Sequence, residues 1–225
     1  MDQTTEALIA AAIIILVSFP VHEFSHAWMA YRLGDSTARY LGRLTLNPIV
    51  HFDPLGGLML LASAYAGYGI GWAKPTPVNL LNLRNGRTGE AMVAAAGPIS
   101  NLLLAAAGGV VFRILFSVLS SPGQGDSPGR LALLNIVYIF VEINVSLFIF
   151  NLIPIPPLDG TRVLLAVLPP RVAFKYEPLL YQYGSIILIA VIFIPVVIGV
   201  DGPLQWVFAN IGSPVIRLIT GYPSL

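Results

Sequence analysis

The chain has 225 residues, of which 56% are hydrophobic and 10% charged. Soluble domains carry about 25% charged residues, so the composition excludes an ordinary soluble protein and predicts an integral membrane protein embedded in a lipid bilayer. A net charge of +1 provides no basic stripe to neutralise phosphates, which excludes nucleic acid as a partner. The sequence contains no cysteine, so disulfides and thiolate metal ligands are excluded as well.

The first apolar stretch predicts a membrane-spanning helix over residues 6–33. Its leader is acidic and no small-residue cleavage site follows, so we expect a retained helix and not a signal peptide. Pro20 lacks a backbone N–H and is expected to kink this helix.

Near the end of this helix stands the pattern His22-Glu23-x-x-His26. Residues four apart share one helix face, so the two histidines can bind one metal ion while Glu23 lies beside it without ligating it. Histidine and glutamate are costly at membrane depth and indicate a functional site there. The pattern is typical of zinc hydrolases.

Residues 36–82 are irregular, with frequent Gly and Pro. We expect short extended segments over residues 37–46 and 72–78, buried in protein or lining a wet cavity. Residues 55–72 are apolar enough to cross the membrane, but we expect them to be re-entrant because of the charge distribution described below.

Later segments complete a predicted all-α polytopic membrane protein, a bundle of about four to six transmembrane helices with short re-entrant extended segments. They are a span over 88–120, a Gly/Pro/Ser-rich loop over 121–129, a span over 130–150, a proline break over 151–160, an amphipathic stretch around 171–177, a span over 184–200 and a segment over 204–220 that either crosses or lies in the interface. We expect a single membrane-embedded domain over residues 1–225, with a core at 6–165 and C-terminal helices at 171–225.

The basic residues predict the orientation. If residues 55–72 do not cross, nine of the twelve Lys and Arg lie on one face, namely Arg32, Arg39, Arg43, Lys74, Arg84, Arg87, Arg162, Arg171 and Lys175. The positive-inside rule makes that face cytoplasmic and places the N-terminus outside. We therefore expect a multi-pass cell-membrane protein with its active site toward the cytoplasmic side. If residues 55–72 did cross, His26 and Asp159 would lie on opposite sides.

Two histidines do not complete a catalytic zinc site, which needs three protein ligands and an open position. Asp159 is the best candidate for the third ligand because it follows a predicted span and lies among prolines at the same expected depth. His51 and Asp53 are competitors, although they are interpreted as structural residues or as supports of the ligands. Zn²⁺ with ionised Asp159 and Glu23 sums to zero charge, which lowers the cost of burial.

Three separated motifs combine these residues with helix breakers. They are His22-Glu23-x-x-His26, Gly97-Pro98-x-x-Asn101 and Asn151-x-x-Pro154-x-x-Pro157-x-Asp159-Gly160. Together they resemble the site-2 protease family of intramembrane zinc metalloproteases, as does the stretch over residues 71–79. The sequence shows no PDZ-like or nucleotide-sensing domain, so the resemblance is to small members of that family.

The resemblance implies one zinc ion per chain bound by His22, His26 and Asp159, with Glu23 as general base. It also implies that Asn151 helps to hold or polarise the substrate peptide. An asparagine at a helix end also satisfies its own backbone, and this interpretation of Asn151 stays open. The implied enzyme is a zinc-dependent endopeptidase that cleaves transmembrane protein substrates in or near their membrane segments.

Several alternatives remain at this point. A membrane metal-binding or transport protein could use the same histidines without proteolysis, although it would not need a base at Glu23. Gly97 is interpreted as a helix-packing residue. Glu142 and Asn144, inside a predicted span, either form a polar cavity wall or hydrogen-bond between helices. Residues 72–78 could receive an unwound substrate segment by strand addition.

Overall fold

The computed structural model describes residues 3–65, 71–119 and 128–222. It is 80% helical, and no strand occurs among the described residues, which confirms the predicted all-α class. In chain order the α-helices are α1 (Gln3–Ile13), α2 (Phe19–Arg32), α3 (Thr37–Tyr40), α4 (Pro48–His51), α5 (Pro54–Tyr65), α6 (Gly86–Leu119), α7 (Pro128–Asn151), α8 (Gly160–Val167), α9 (Pro170–Ile198), α10 (Pro203–Val207) and α11 (Ser213–Thr220).

Within the described ranges, four helices are long and apolar enough to cross a membrane: the continuous run Thr4–Arg32, α6, α7 and α9. The protein is therefore a multi-pass membrane protein, at the lower end of the four to six spans predicted. Helix α5 has 12 residues and covers about 18 Å, against a hydrocarbon thickness of about 30 Å. This length agrees with the prediction that residues 55–72 do not cross, although residues 66–70 lie outside the described part.

Two boundaries differ from the predictions, and a third segment was left open by the sequence. Residues 37–46 contain helix α3 instead of an extended segment. The amphipathic stretch near residue 171 and the predicted span over 184–200 form one 29-residue helix, α9, which accommodates Pro178 in its interior. Residues 203–220 form α10, a π-helical turn and α11, and this run is not among the four long apolar helices. Most of the predicted loop at 121–129 lies outside the described residues.

A π-helical turn, Ile14–Ser18, separates α1 from α2. Within it the N–H of Phe19 bonds the carbonyl of Ile14, five residues back. Pro20 then stands in the first turn of α2, where its missing N–H costs little. The kink at Pro20 stays a prediction, and the structure shows a widened helical turn just before the ring.

Helix α6 is central to the bundle because it packs against α2, α7 and α8. Small residues allow this close approach: a Cβ added at Gly108 would lie 2.8 Å from the ring of Phe140 and 3.1 Å from Val141 on α7. Beside this contact lies an apolar core that includes Phe112, Val145 and Ile216. The packing brings α2 and α8 to the same helix.

Asp35, just after α2, ties the irregular segment that follows α5 to the end of α2. Its buried carboxylate accepts hydrogen bonds from the N–H and hydroxyl of Thr37, from Asn82 Nδ2 at 3.0 Å and from the N–H of Asn79 at 2.8 Å. Burial alone raises the pKa of Asp35, but these donors outweigh burial and lower the pKa below its ordinary value. Asp35 is therefore ionised and fixes residues 79–82 against the helix end.

Candidate metal centre

The structure brings His22, His26 and Asp159 together. His22 Nε2 lies 3.0 Å from His26 Nε2, and Asp159 Oδ2 lies 3.2 Å and 3.3 Å from these two nitrogens. Four tetrahedral ligands about 2.0–2.1 Å from a zinc ion stand about 3.3 Å apart. The ligand atoms of these three residues lie close enough together to hold one metal ion.

The other ring nitrogens determine which atoms face the cluster. His22 Nδ1 lies 2.7 Å from Asn101 Oδ1, and His26 Nδ1 lies 2.7 Å from the carbonyl oxygen of Val93. Because both partners are acceptors, both Nδ1 atoms carry the proton, and in the neutral rings both Nε2 atoms present lone pairs. Two nitrogen lone pairs and a carboxylate oxygen lie within 3.3 Å of one another, and they repel unless a cation lies between them. The donor set therefore fits zinc.

Asn101 is itself oriented by a chain of hydrogen bonds. Its Nδ2 donates to Asn144 Oδ1 at 3.1 Å, and Asn144 Nδ2 donates to the carbonyl of Phe140 at 2.9 Å. Both asparagines are fully buried. Asn144 therefore forms an interhelical hydrogen bond between α6 and α7, as one of the two interpretations held. Glu142 is exposed on α7 and does not line the cavity at the cluster.

Gly97 lies directly against the two imidazoles. A Cβ at this position would meet His26 Nε2 and would lie 2.6 Å from both Cε1 and Nε2 of His22. The prediction that Gly97 is a packing residue agrees with this contact, but its neighbours are the metal-facing atoms. Val93, Gly97 and Asn101 follow one another at intervals of four and so form one stripe of α6. This spacing was a signal that could have assigned all three residues to the cluster.

Asp159 reaches the cluster because the chain leaves the helix after Asn151. Pro154, Pro156 and Pro157 cannot donate to a helical ladder, so the chain turns before α8 begins. Gly160 allows the turn to close, since a Cβ there would overlap the carbonyl of Leu152.

Helix α8 is held against α6 close to the cluster. Helix α8 is docked by an ion pair of Arg162 with Glu90 at 2.8 Å and by a hydrogen bond from Arg87 to the carbonyl of Leu168. These contacts hold both ends of α8 at α6, and the one at Arg162 lies close to Asp159.

Glu23 lies beside the cluster without joining it. Its Oε2 accepts a hydrogen bond of 2.7 Å from the N–H of Thr76, and its backbone carbonyl accepts one of 3.0 Å from the Thr76 hydroxyl. Sequence reasoning assigned no role to Thr76. Its neighbours Pro75 and Pro77 carried no signal for a contact with the helix that bears the histidines.

A cavity of about 490 Å³ opens onto these groups. It is lined by the three cluster residues together with Glu23, the irregular segment that contains Thr76, and the end of α7. Asn151 also lines it, and its Nδ2 donates to the carbonyl of Leu147 at 2.9 Å. The cluster can therefore be reached from the cavity.

His51 and Asp53 lie outside the cluster. His51 is buried, and its Nε2 donates to the carbonyl of Thr45 at 2.8 Å. Asp53 accepts a hydrogen bond of 2.8 Å from the N–H of Gly56 and so caps the start of α5. Both residues have the structural surroundings that the sequence interpretation favoured for them.

Comparison with known proteins agrees with this geometry. A family model described as Peptidase family M50 matches residues 116–191. A Bacillus subtilis protein named "Putative zinc metalloprotease YwhC" is 39% identical over 183 residues, which cover 81% of this chain and 80% of that protein. The chain belongs to peptidase family M50. Two similar proteins, both named Rip2, extend the comparison: that of Mycolicibacterium smegmatis is 31% identical over 80% of this chain and 65% of its own length, and that of Mycobacterium tuberculosis is 31% identical over 86% and 70%. None of the solved structures matches the chain.

Membership of family M50 confirms the resemblance to site-2 proteases. The protein is a zinc metallopeptidase, and its cofactor is Zn²⁺. The enzyme prediction is thus confirmed over the alternative of a metal transport protein. The His-His-Asp cluster offers this M50 protein a site for the ion.

Proposed function

We propose that this M50 protein cleaves membrane-protein substrates by hydrolysing peptide bonds in or near their transmembrane segments. The observation that supports this most directly is the convergence of His22, His26 and Asp159 at a cavity of about 490 Å³. The first two residues belong to a helix long and apolar enough to span a membrane, which supports a reaction within the bilayer.

In this proposal His22, His26 and Asp159 hold one zinc ion per chain. When bound there, zinc would lower the pKa of a water molecule to about 7 and would polarise the scissile carbonyl. Asn101 and Val93 keep the histidines in the tautomer whose Nε2 lone pairs face the ion. Asp159 adds a negative charge that, with Glu23, balances the charge of the ion.

Glu23 is the proposed general base. It takes a proton from the attacking water at a carboxylate oxygen and later passes the proton to the leaving nitrogen. Asn151 is the proposed donor to the oxyanion that develops on the scissile carbonyl. Its amide carries two hydrogens, so it can keep its bond to Leu147 and still donate into the cavity.

The substrate must expose a peptide bond to this site. A transmembrane helix buries its amides in intrahelical hydrogen bonds, so the target has to unwind locally, and helix-breaking residues favour unwinding. Residues 71–79 have no regular secondary structure and several of them line the cavity, where they can contact the unwound segment. Replacing the breakers of a cleaved substrate with leucine is expected to slow its cleavage.

We further propose that residues 1–225 act as one domain in the cell membrane, with the active site toward the cytoplasm. Support for one domain comes from α6, which packs against α2, α7, α8 and α11. Support for the orientation comes from the basic residues. Most of them lie close in sequence to the helix ends that would face the cytoplasm in this orientation.

The deciding experiment compares the wild type with Glu23→Gln after purification in detergent. We expect one zinc per chain in both proteins and a loss of cleavage of about 100-fold or more in the variant, because only the base is removed. Glu142→Gln is the matched control, since it makes the same change on α7 away from the cavity. Turnover at the wild-type rate in Glu23→Gln, or wild-type protein without zinc, would contradict the proposal.

A further inference from the structure

Thr76, in the irregular segment 71–79, hydrogen-bonds the helix that carries the histidines. The Thr76 N–H donates to Glu23 Oε2 at 2.7 Å, and the Thr76 hydroxyl donates to the Glu23 carbonyl oxygen at 3.0 Å. The two bonds join positions far apart in the chain. They place a backbone donor on the carboxylate that stands beside the metal cluster.

The segment is anchored on both sides of this contact. The N–H of Lys74 donates to the carbonyl of His51 at 2.8 Å, and the N–H of Asn79 donates to Asp35 Oδ2 at 2.8 Å. Pro75 and Pro77 flank Thr76, and a residue that precedes proline is restricted to extended backbone conformations. The Thr76 N–H is therefore held in place by the chain itself.

A glutamate side chain has several rotatable bonds, and its carboxylate accepts hydrogen bonds at two oxygens. A charge-assisted bond from a fixed N–H to one oxygen selects one orientation of the group and leaves the other oxygen for a second partner. At a catalytic base this selection matters, since the proton is transferred only within hydrogen-bond reach.

We propose that Thr76 is a positioning residue for Glu23: its backbone N–H holds Oε2 so that the second carboxylate oxygen serves the reaction. The inference rests on the proposed role of Glu23 as general base. Pro75 and Thr76 also line the cavity, so the segment that meets the substrate is the one that holds the base.

Thr76→Pro removes the donor and keeps an extended backbone, while Thr76→Val removes the hydroxyl and keeps the N–H. We expect kcat to fall about 10- to 100-fold in Thr76→Pro, with KM within about threefold of wild type and zinc content unchanged. Thr76→Val and Thr76→Ser are expected to keep kcat within about threefold. A wild-type kcat in Thr76→Pro, or an equal loss in Thr76→Val, overturns the inference.

Glu23→Gln separates a failure of the proposed base from a failure of the proposed role of Thr76. If Glu23→Gln keeps turnover, the assignment of Glu23 as the base fails. If Glu23→Gln is inactive while Thr76→Pro is fully active, only the role of Thr76 fails.

Amide hydrogen exchange tests the contact without a change at Thr76. In protein labelled with ¹⁵N-threonine, we expect Thr76 exchange to accelerate about tenfold or more in Glu23→Ala, since the acceptor is gone. Glu142→Gln is expected to leave that rate unchanged. Equal Thr76 exchange rates in wild type and Glu23→Ala contradict the inference, even if Thr76→Pro fails to fold.

Discussion

At the level of single residues, the histidines depend on groups that never face the metal. Asn101 and the Val93 carbonyl engage the Nδ1 atoms, and this contact turns the Nε2 lone pairs toward Asp159. Gly97, between these two residues on α6, leaves the space that a side chain would fill. None of these residues acts on the histidines through a charge, because Asn101 and Val93 accept hydrogen bonds and Gly97 leaves space.

Asn101 gives a prediction at this scale. Asn101→Leu is expected to lower zinc affinity about 10- to 100-fold, because His22 loses the acceptor that sets its tautomer and ring orientation. Chelator competition in detergent measures the change. Asn101→Asp retains an acceptor and is expected to stay closer to wild type.

Asn135→Leu is the control for this prediction. It makes the same substitution in the bundle, where Asn135 donates to Glu6 instead of orienting a histidine. Zinc affinities that are equal in Asn101→Leu and Asn135→Leu would show that the contact with His22 has no special role.

At the scale of elements, the cavity wall depends on the junction between α2 and residues 79–82. Asp35 makes this junction with an ionised carboxylate that accepts from both sides of it. Asparagine at position 35 would keep one acceptor oxygen, but its amide N–H₂ would face donors that now bond the carboxylate of Asp35. The junction is thus more sensitive to charge than to side-chain size.

We expect Asp35→Asn to destabilise the protein by about 2 kcal/mol at pH 7, since it leaves buried donors unpaired. The pKa of Asp35 is lowered in the folded state, so its stabilisation is fully present above the unfolded value, about 3.9, and is lost as pH falls through the lower folded pKa. The stability gap between wild type and variant should therefore shrink below about pH 4. Unfolding followed by tryptophan fluorescence in detergent measures it, and a gap that does not change with pH would contradict this account.

At the scale of the whole molecule, α6 organises both the site and the topology. It contacts α2 and α8, which carry or adjoin the proposed ligands, and it is a 34-residue apolar helix, long enough to span a membrane. Because a spanning α6 must place its two ends on opposite faces, the orientation of the site can be measured from residues on either side of α6.

The chain has no cysteine, so single cysteines report topology directly. Leu81 is 94% exposed before α6, and Gly129 is exposed after it, with no atom near an added Cβ. With a membrane-impermeant maleimide, we expect Gly129→Cys to be labelled in intact cells and Leu81→Cys to be labelled after permeabilisation. The reverse pattern would place the active site on the outer side.

The amino-acid sequence predicted the parts of this protein that depend on local spacing. Apolar runs predicted the first long helix, α6 and α7 to within a few residues, and the pair His22 and His26 lay on one face because four residues make about one turn. Boundaries were less accurate where competing signals met, as at α3 and α9. Helix α3 formed where an extended segment was predicted, and α9 joined an amphipathic stretch and a span that were predicted separately.

Sequence alone determined that this is a helical membrane protein with a histidine pair, because composition and short-range periodicity are properties of neighbouring residues. Only the tertiary structure decided that Asp159 meets that pair, that Asn101 orients His22 and that Thr76 holds Glu23. These contacts join residues far apart in the chain, and they form only when α2, α6, α7 and α8 pack together. Their distances follow from the packing of the whole bundle, which no local pattern encodes.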